Sequence, residues 1–241
     1  MRTAIAYAGE GAVRLAQGGV LMASARVDGR EAALAALAAG WKDVPAGTRL
    51  RVAVSGAVCR PYLLPEVEGV TGEADWAAIA ASLVEESTGL PSDSPVWLDA
   101  GQASPRLAVA IDAAWLRGLE SLAGRRLESV RPWWAMAIDA ARAASASATA
   151  SPSPAAGAAG GRHGLAVADS EALVLLLAEG DTYRVAQTYT LDGEPADAVL
   201  NRALVTHDWP AESVSLVEFE GGALPGQGVA EALPFSKEAS A

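Results

Sequence analysis

One order of elements occurs twice in this chain, and it constrains the fold more than any single motif does. Apolar or alternating segments bounded by turn formers read as strands, and apolar residues at helical spacing read as helices. On that basis Thr3 to Tyr7, Ala12 to Ala16 and Val20 to Val27 are three strands. A helix over Arg30 to Trp41 follows, with Leu34, Leu37 and Trp41 on one side, and then a strand over Leu50 to Val54. The same order returns as Gly164 to Asp169, Ala172 to Ala178, Tyr183 to Leu191, a helix over Pro195 to His207, and a strand over Val214 to Phe219. An Asp-Gly pair precedes each helix, Asp28-Gly29 and Asp192-Gly193. A repeated topology without close sequence identity is what a duplicated α/β domain leaves behind.

More α/β sequence lies between the two units. A strand resumes over Val58 to Leu64, and Asp75 to Thr88 reads as a helix stopped by Gly89-Leu90-Pro91. Strand candidates Val96 to Asp99 and Arg106 to Ile111 follow. Asp112 is placed to cap a helix through Leu122 by accepting from free first-turn amides. Leu127 to Val130 reads as a strand, and Pro132 opens a helix through Arg142. The segment 143–161, AASASATASPSPAAGAAGG, has too little apolar surface to offset the entropy of ordering, so a flexible linker is expected. The expected organisation is a first lobe at 1–142 with an α/β insertion at about 70–130, a shorter second lobe at 162–220, and an irregular tail at 221–241.

Composition excludes several functions. No apolar run approaches the roughly 18–20 residues of a membrane helix. The opening MRTAIAYAGEG lacks the long apolar core of a secretory signal, so a cytoplasmic location is expected, with membrane contact only through a partner. A net charge of −11 argues against nucleic-acid binding, which needs a basic face. The single cysteine, Cys59, can form no internal disulfide and reads as a core residue.

The sequence also lacks the usual catalytic patterns. No phosphate loop and no cluster at metal-ligand spacing are present. Ser55, in VAVSGAV, lacks a nucleophile elbow and reads as a turn residue. His163 borders the linker, and His207 reads as a helix-end residue before Asp208. Gly9-Glu10-Gly11 reads as a hairpin turn whose acid would repel phosphate, and the neighbouring Glu85 and Glu86 point apart on a solvated helix face. No catalytic residue, cofactor or metal is expected.

The stretch LAVAIDAAWLRGLESLAGRRLESVRPWWAMAIDAAR, Leu107 to Arg142, and the second-lobe opening GLAVADSEALVLLLAEGDTYRVAQTYTL resemble the actin/Hsp70-like ATPase superfamily. The nearer resemblance is to the branch of PilM in type IV pilus systems and the cytoplasmic domain of GspL in type II secretion. That resemblance implies an α/β fold of two RNase H-like β-β-β-α-β lobes, the second truncated here. In nucleotide-binding members, the first turn of each lobe carries an Asp, a Gly and a small hydroxyl residue that approach phosphate and magnesium. Here the first turn has Tyr7 and Ala8 in place of the acid, while the second keeps Asp169 and Ser170 without glycine. These two are the weak cofactor-binding candidates. The resemblance implies a non-catalytic scaffold of a pilus or secretion inner-membrane platform that binds protein partners. The alternative is an ATPase or kinase-like enzyme using Asp169.

Seven tryptophans outnumber the four tyrosines and two phenylalanines combined, and five of the seven fall between Trp76 and Trp134. Neighbouring helical residues point about 100° apart. Trp133 and Trp134 therefore cannot share one narrow core, and one of them is expected at a lobe boundary or exposed groove. Aromatic residues are enriched at binding hot spots. Trp115, Arg131, Trp133 and Trp134 are accordingly the candidate partner-binding residues.

Overall fold

The structure is a computed structural model that describes residues 2–99, 105–138 and 161–218. The first lobe begins with β1 (Thr3–Ala8), β2 (Ala12–Gln17), β3 (Val20–Arg26), α1 (Arg30–Lys42) and β4 (Arg49–Val54). The chain then leaves for β5 (Cys59–Leu63), α2 (Glu73–Thr88), β6 (Val96–Leu98) and β7 (Leu107–Ile111). It returns through α3 (Ala113–Ala123) to β8 (Leu127–Pro132), followed by helical backbone at 133–138, here α4. The second lobe contains β9 (Arg162–Ala168), β10 (Ala172–Glu179), β11 (Thr182–Thr190), α5 (Ala196–Thr206) and β12 (Val214–Glu218).

The two lobes share one topology. The first sheet runs β3-β2-β1-β4-β8 and the second β11-β10-β9-β12. In each, the first three strands pair antiparallel and the fourth lies parallel to the first. Helices α1 and α3 cover one face of the first sheet. Leu37, Trp41, Trp115 and Leu119 pack there on Ala6, Leu15, Leu50 and Val52. Asp112 caps α3 as its position predicts, accepting from the Ala114 and Trp115 amides at 2.8 and 3.0 Å.

Strand β10 explains its own composition. A near-continuous apolar strand is what burial on both faces requires. Leu173, Leu175 and Leu177 point toward α5, where Val199, Leu200 and Leu204 cover them. Val174 and Leu176 point the other way, into a cluster with Tyr7, Ala53, Trp133 and Trp134 of the first lobe. That second cluster joins the lobes.

The inserted unit is a three-stranded sheet ordered β5-β7-β6 and backed by α2. Its bounds differ from the expected 70–130. The insertion starts earlier, at Cys59, and ends at Ile111, because β8 pairs in parallel with β4 and so belongs to the first lobe. Pro132 closes β8 opposite Val54 instead of opening the helix. A proline lacks the ladder N–H and is tolerated at such a strand end. The expected linker, apart from Gly161, and the expected tail lie outside the described residues. Among the described residues, no helix is long and apolar enough to cross a membrane.

Candidate functional site

The repeated topology places two equivalent turns face to face between the lobes. The β1–β2 turn is Gly9-Glu10-Gly11, and the β9–β10 turn is Asp169-Ser170-Glu171. Both close with the same backbone bond: Gly9 N donates to Ala12 O, and Asp169 N to Ala172 O, each at 3.0 Å. One turn offers glycines and open amides, and the other offers two carboxylates.

The carboxylates take the amides. Glu171 Oε2 accepts from Glu10 N at 2.8 Å, and Oε1 accepts from Gly11 N at 2.6 Å. Successive backbone N–H groups of this kind form a concave nest for an anion. Here the anion belongs to the chain. A methyl group on Gly9 would collide with the Glu171 carboxylate, so glycine is what lets it approach.

Asp169 makes the second link. Its Oδ2 accepts from Gly56 N, just after β4, at 2.8 Å. Its Oδ1 accepts from Glu171 N and Ala172 N within its own turn, each at 2.9 Å. Gly56 also needs to be glycine, since a Cβ there would lie 2.8 Å from Val174 Cγ2. Ser55 is fully buried in the turn that presents Gly56, where its Oγ accepts from Ala57 N at 3.1 Å. The fully buried Tyr7 hydroxyl lies beside Ser55 and Ser170 where the two lobes meet.

Electrostatics here follow from burial. Loss of water pushes the Asp169 carboxyl up, although the Gly56, Glu171 and Ala172 amides pull the other way. Burial likewise raises Glu171 against the pull of the Gly11 amide. Tyr7 is raised by burial and then by the charges of Asp169 and Glu171. Beside the turn, an open cleft of ≈ 380 Å³ is lined by Asp169, Ser170, Glu194 and Glu218 among others. Among the described residues, no group of His, Cys, Asp and Glu is arranged to hold a metal ion.

A solved structure from Bacteroides thetaiotaomicron, described as a protein with an actin-like ATPase fold and unknown function, superposes with TM-score 0.56. The match covers 95% of this chain and 85% of that one, at 10% identity. The chain has the actin-like fold. A second match is the cytoplasmic domain of EpsL, an inner membrane component of the type II secretion system of Vibrio cholerae. It superposes with TM-score 0.50 at 13% identity, over 95% of this chain and 87% of that one. A chain of a PilM–PilN type IV pilus biogenesis complex superposes more loosely, with TM-score 0.46 at 15% identity, over 87% and 67% of the two chains. No family model matches the sequence, and no curated protein does. The likeness is therefore one of fold.

Within the actin-like fold, Asp169 and Ser170 fall between the lobes, and Asp169 is bound to backbone amides. Sequence reasoning missed Glu171, Gly56 and the role of Gly9. Their one sequence signal is that the turns at equivalent places in the repeat pair glycines with acids.

Of the two places expected for one of the paired tryptophans, the structure shows the lobe boundary and not the exposed groove. Trp115 is 1% exposed in the first-lobe core, and Trp133 and Trp134 are each 4% exposed. Helix α4 lies in the boundary between the lobes, so both of its directions are covered. Trp133 packs edge-on against Tyr7 at 6.5 Å, and Trp134 Nε1 donates to Cys59 O at 3.0 Å. The three indoles therefore offer no exposed groove, and of the four candidates only Arg131 is on the surface. The exposed tryptophan is Trp97, on β6.

Proposed function

We propose that this chain is a non-catalytic, actin-like scaffold of a bacterial secretion or pilus inner-membrane platform, working in the cytoplasm by binding partner proteins. The observation that carries the non-catalytic part is the Glu171 carboxylate on the Glu10 and Gly11 amides. A phosphate approaching the first-lobe turn meets an anion already in place and a second buried acid, Asp169, behind it. The fold likeness to the EpsL cytoplasmic domain supports the platform part. Deleting the gene in its host and measuring secretion and piliation tests that part. Loss of either output, restored by the wild-type gene, is expected. Unchanged secretion and piliation would remove the platform reading.

The open cleft beside Asp169 favours a second reading, a nucleotide-dependent enzyme. It is the weaker one. Both Asp169 oxygens are engaged by amides, Glu194 on the cleft wall is already paired with Arg202, and the Glu218 carboxylate there would repel phosphates unless a cation intervened.

A further inference from the structure

The β9–β10 turn makes three hydrogen bonds to first-lobe backbone amides, all through its own two carboxylates. Glu10 N and Gly11 N bind Glu171, and Gly56 N binds Asp169. These amides come from two separate first-lobe segments, the β1–β2 turn and the residue pair after β4. A turn that bonds to both, Glu171 to one and Asp169 to the other at 2.6 to 2.8 Å, fixes the direction of approach as well as the distance. The apolar cluster around Trp133 and Trp134 supplies area but little direction, because hydrophobic contact is non-directional. Gly9 and Gly56 each leave the space of one missing methyl where the second lobe enters. The glycines of one copy thus match the acids and β10 side chains of the other.

We propose that the β9–β10 turn is a built-in ligand. Its carboxylates occupy the first-lobe anion nest and hold the two lobes in one fixed arrangement without a bound nucleotide. The chain is then a rigid surface for partners and not an opening and closing device. This deepens the scaffold reading by using the same turn, but its test is separate. Partner loss would strike the platform reading, whereas the measurements below bear on the clasp alone.

Two readouts on the full chain decide it. The first is residue-resolved amide exchange in wild type, Glu171→Ala and Asp169→Ala. The clasp predicts slow exchange at Glu10, Gly11 and Gly56 in wild type. Glu171→Ala should speed Glu10 and Gly11 by at least about tenfold, and Asp169→Ala should do so at Gly56, with the β10 core amides unchanged. The second is a spin-label distance between Glu31 on α1 and Val205 on α5, each replaced by cysteine. Both sites are exposed, and buried Cys59 stays unlabelled. Wild type should give one narrow distance, and replacing Glu171 and Asp169 together by alanine should broaden it. Should an alanine variant not fold, Glu171→Gln keeps the size and one acceptor oxygen, and should free one of the two amides. Rapid wild-type exchange at these amides would overturn the proposal. So would a distance as narrow as in wild type when Glu171 and Asp169 are both alanine, which would mean that the remaining packing between the lobes sets the arrangement.

Discussion

Replacing Gly9 with alanine adds one methyl group and so isolates the contact between the turns. Gly9 lies outside the left-handed backbone region, so alanine there costs no backbone strain. The methyl does, however, fall on the Glu171 carboxylate, which must leave the nest. Two hydrogen bonds to a charged group are then lost, each worth about 1.5–3 kcal/mol. Part of that returns, because the Glu10 amide is exposed enough to find water and because Glu171 regains solvent. A net loss of about 2–3 kcal/mol is expected, or roughly 5–10 °C in Tm for a chain of this size. Gly11→Ala is the control. Its Cβ would sit 3.4 Å from Glu171 Oε1, where a few tenths of an ångström of adjustment suffices. It should change stability by less than about 1 kcal/mol. The assay is urea unfolding of Gly9→Ala, Glu171→Ala and the double variant. Once Glu171 is alanine, the Gly9 methyl has nothing to displace. The cycle should therefore show a coupling of about 2 kcal/mol. A coupling below about 0.5 kcal/mol, or a Gly9→Ala effect no larger than that of Gly11→Ala, would refute the reasoning.

Three further outcomes follow from other contacts. Burial holds Glu171 above its ordinary value of 4.5, so folding favours its protonated form: that pH-dependent part of its stability is full below 4.5 and lost as pH rises through the folded value, while the hydrogen bonds themselves remain. Wild type should therefore gain stability relative to Glu171→Gln as pH falls from about 7 to about 4; thermal melts giving the opposite trend would reverse the sign argued here. Asp112→Ala should cost about 1 kcal/mol by removing the α3 cap, and Asp112→Asn should recover most of it, both read by urea unfolding. The Cys59 thiol is 1% exposed and pushed up by burial, so a thiol reagent should modify it only at the rate of unfolding; fast reaction in native buffer would contradict its placement.

The repeat was legible because each copy writes its own strands and turns locally. The apolar run of β10 and the Asp112 cap are local patterns of this kind, and both read correctly. The insertion bounds were not legible, because β8 looks like any short strand until it pairs with β4 across a long excursion. Trp133 and Trp134 were legible as far as the lobe boundary but not in the exposure expected of one of them. The argument from 100° spacing assumes a helix with one buried side, and α4 is buried on two. The site was half legible. Asp169 and Ser170 stood out, but Glu171 bonds to amides 160 and 161 residues away, which no local pattern announces. Comparing the two turns as copies of one structure would have exposed the glycine-against-acid match.

On the reading proposed above, Glu171 and Asp169 occupy the place between the lobes where an actin-like ATPase would hold phosphate. Titration calorimetry of the wild-type chain with Mg-ATP tests it most directly. No saturable heat is expected at any practical concentration. Stoichiometric binding in the micromolar range, with Glu171 displaced from the Glu10 and Gly11 amides, would contradict it.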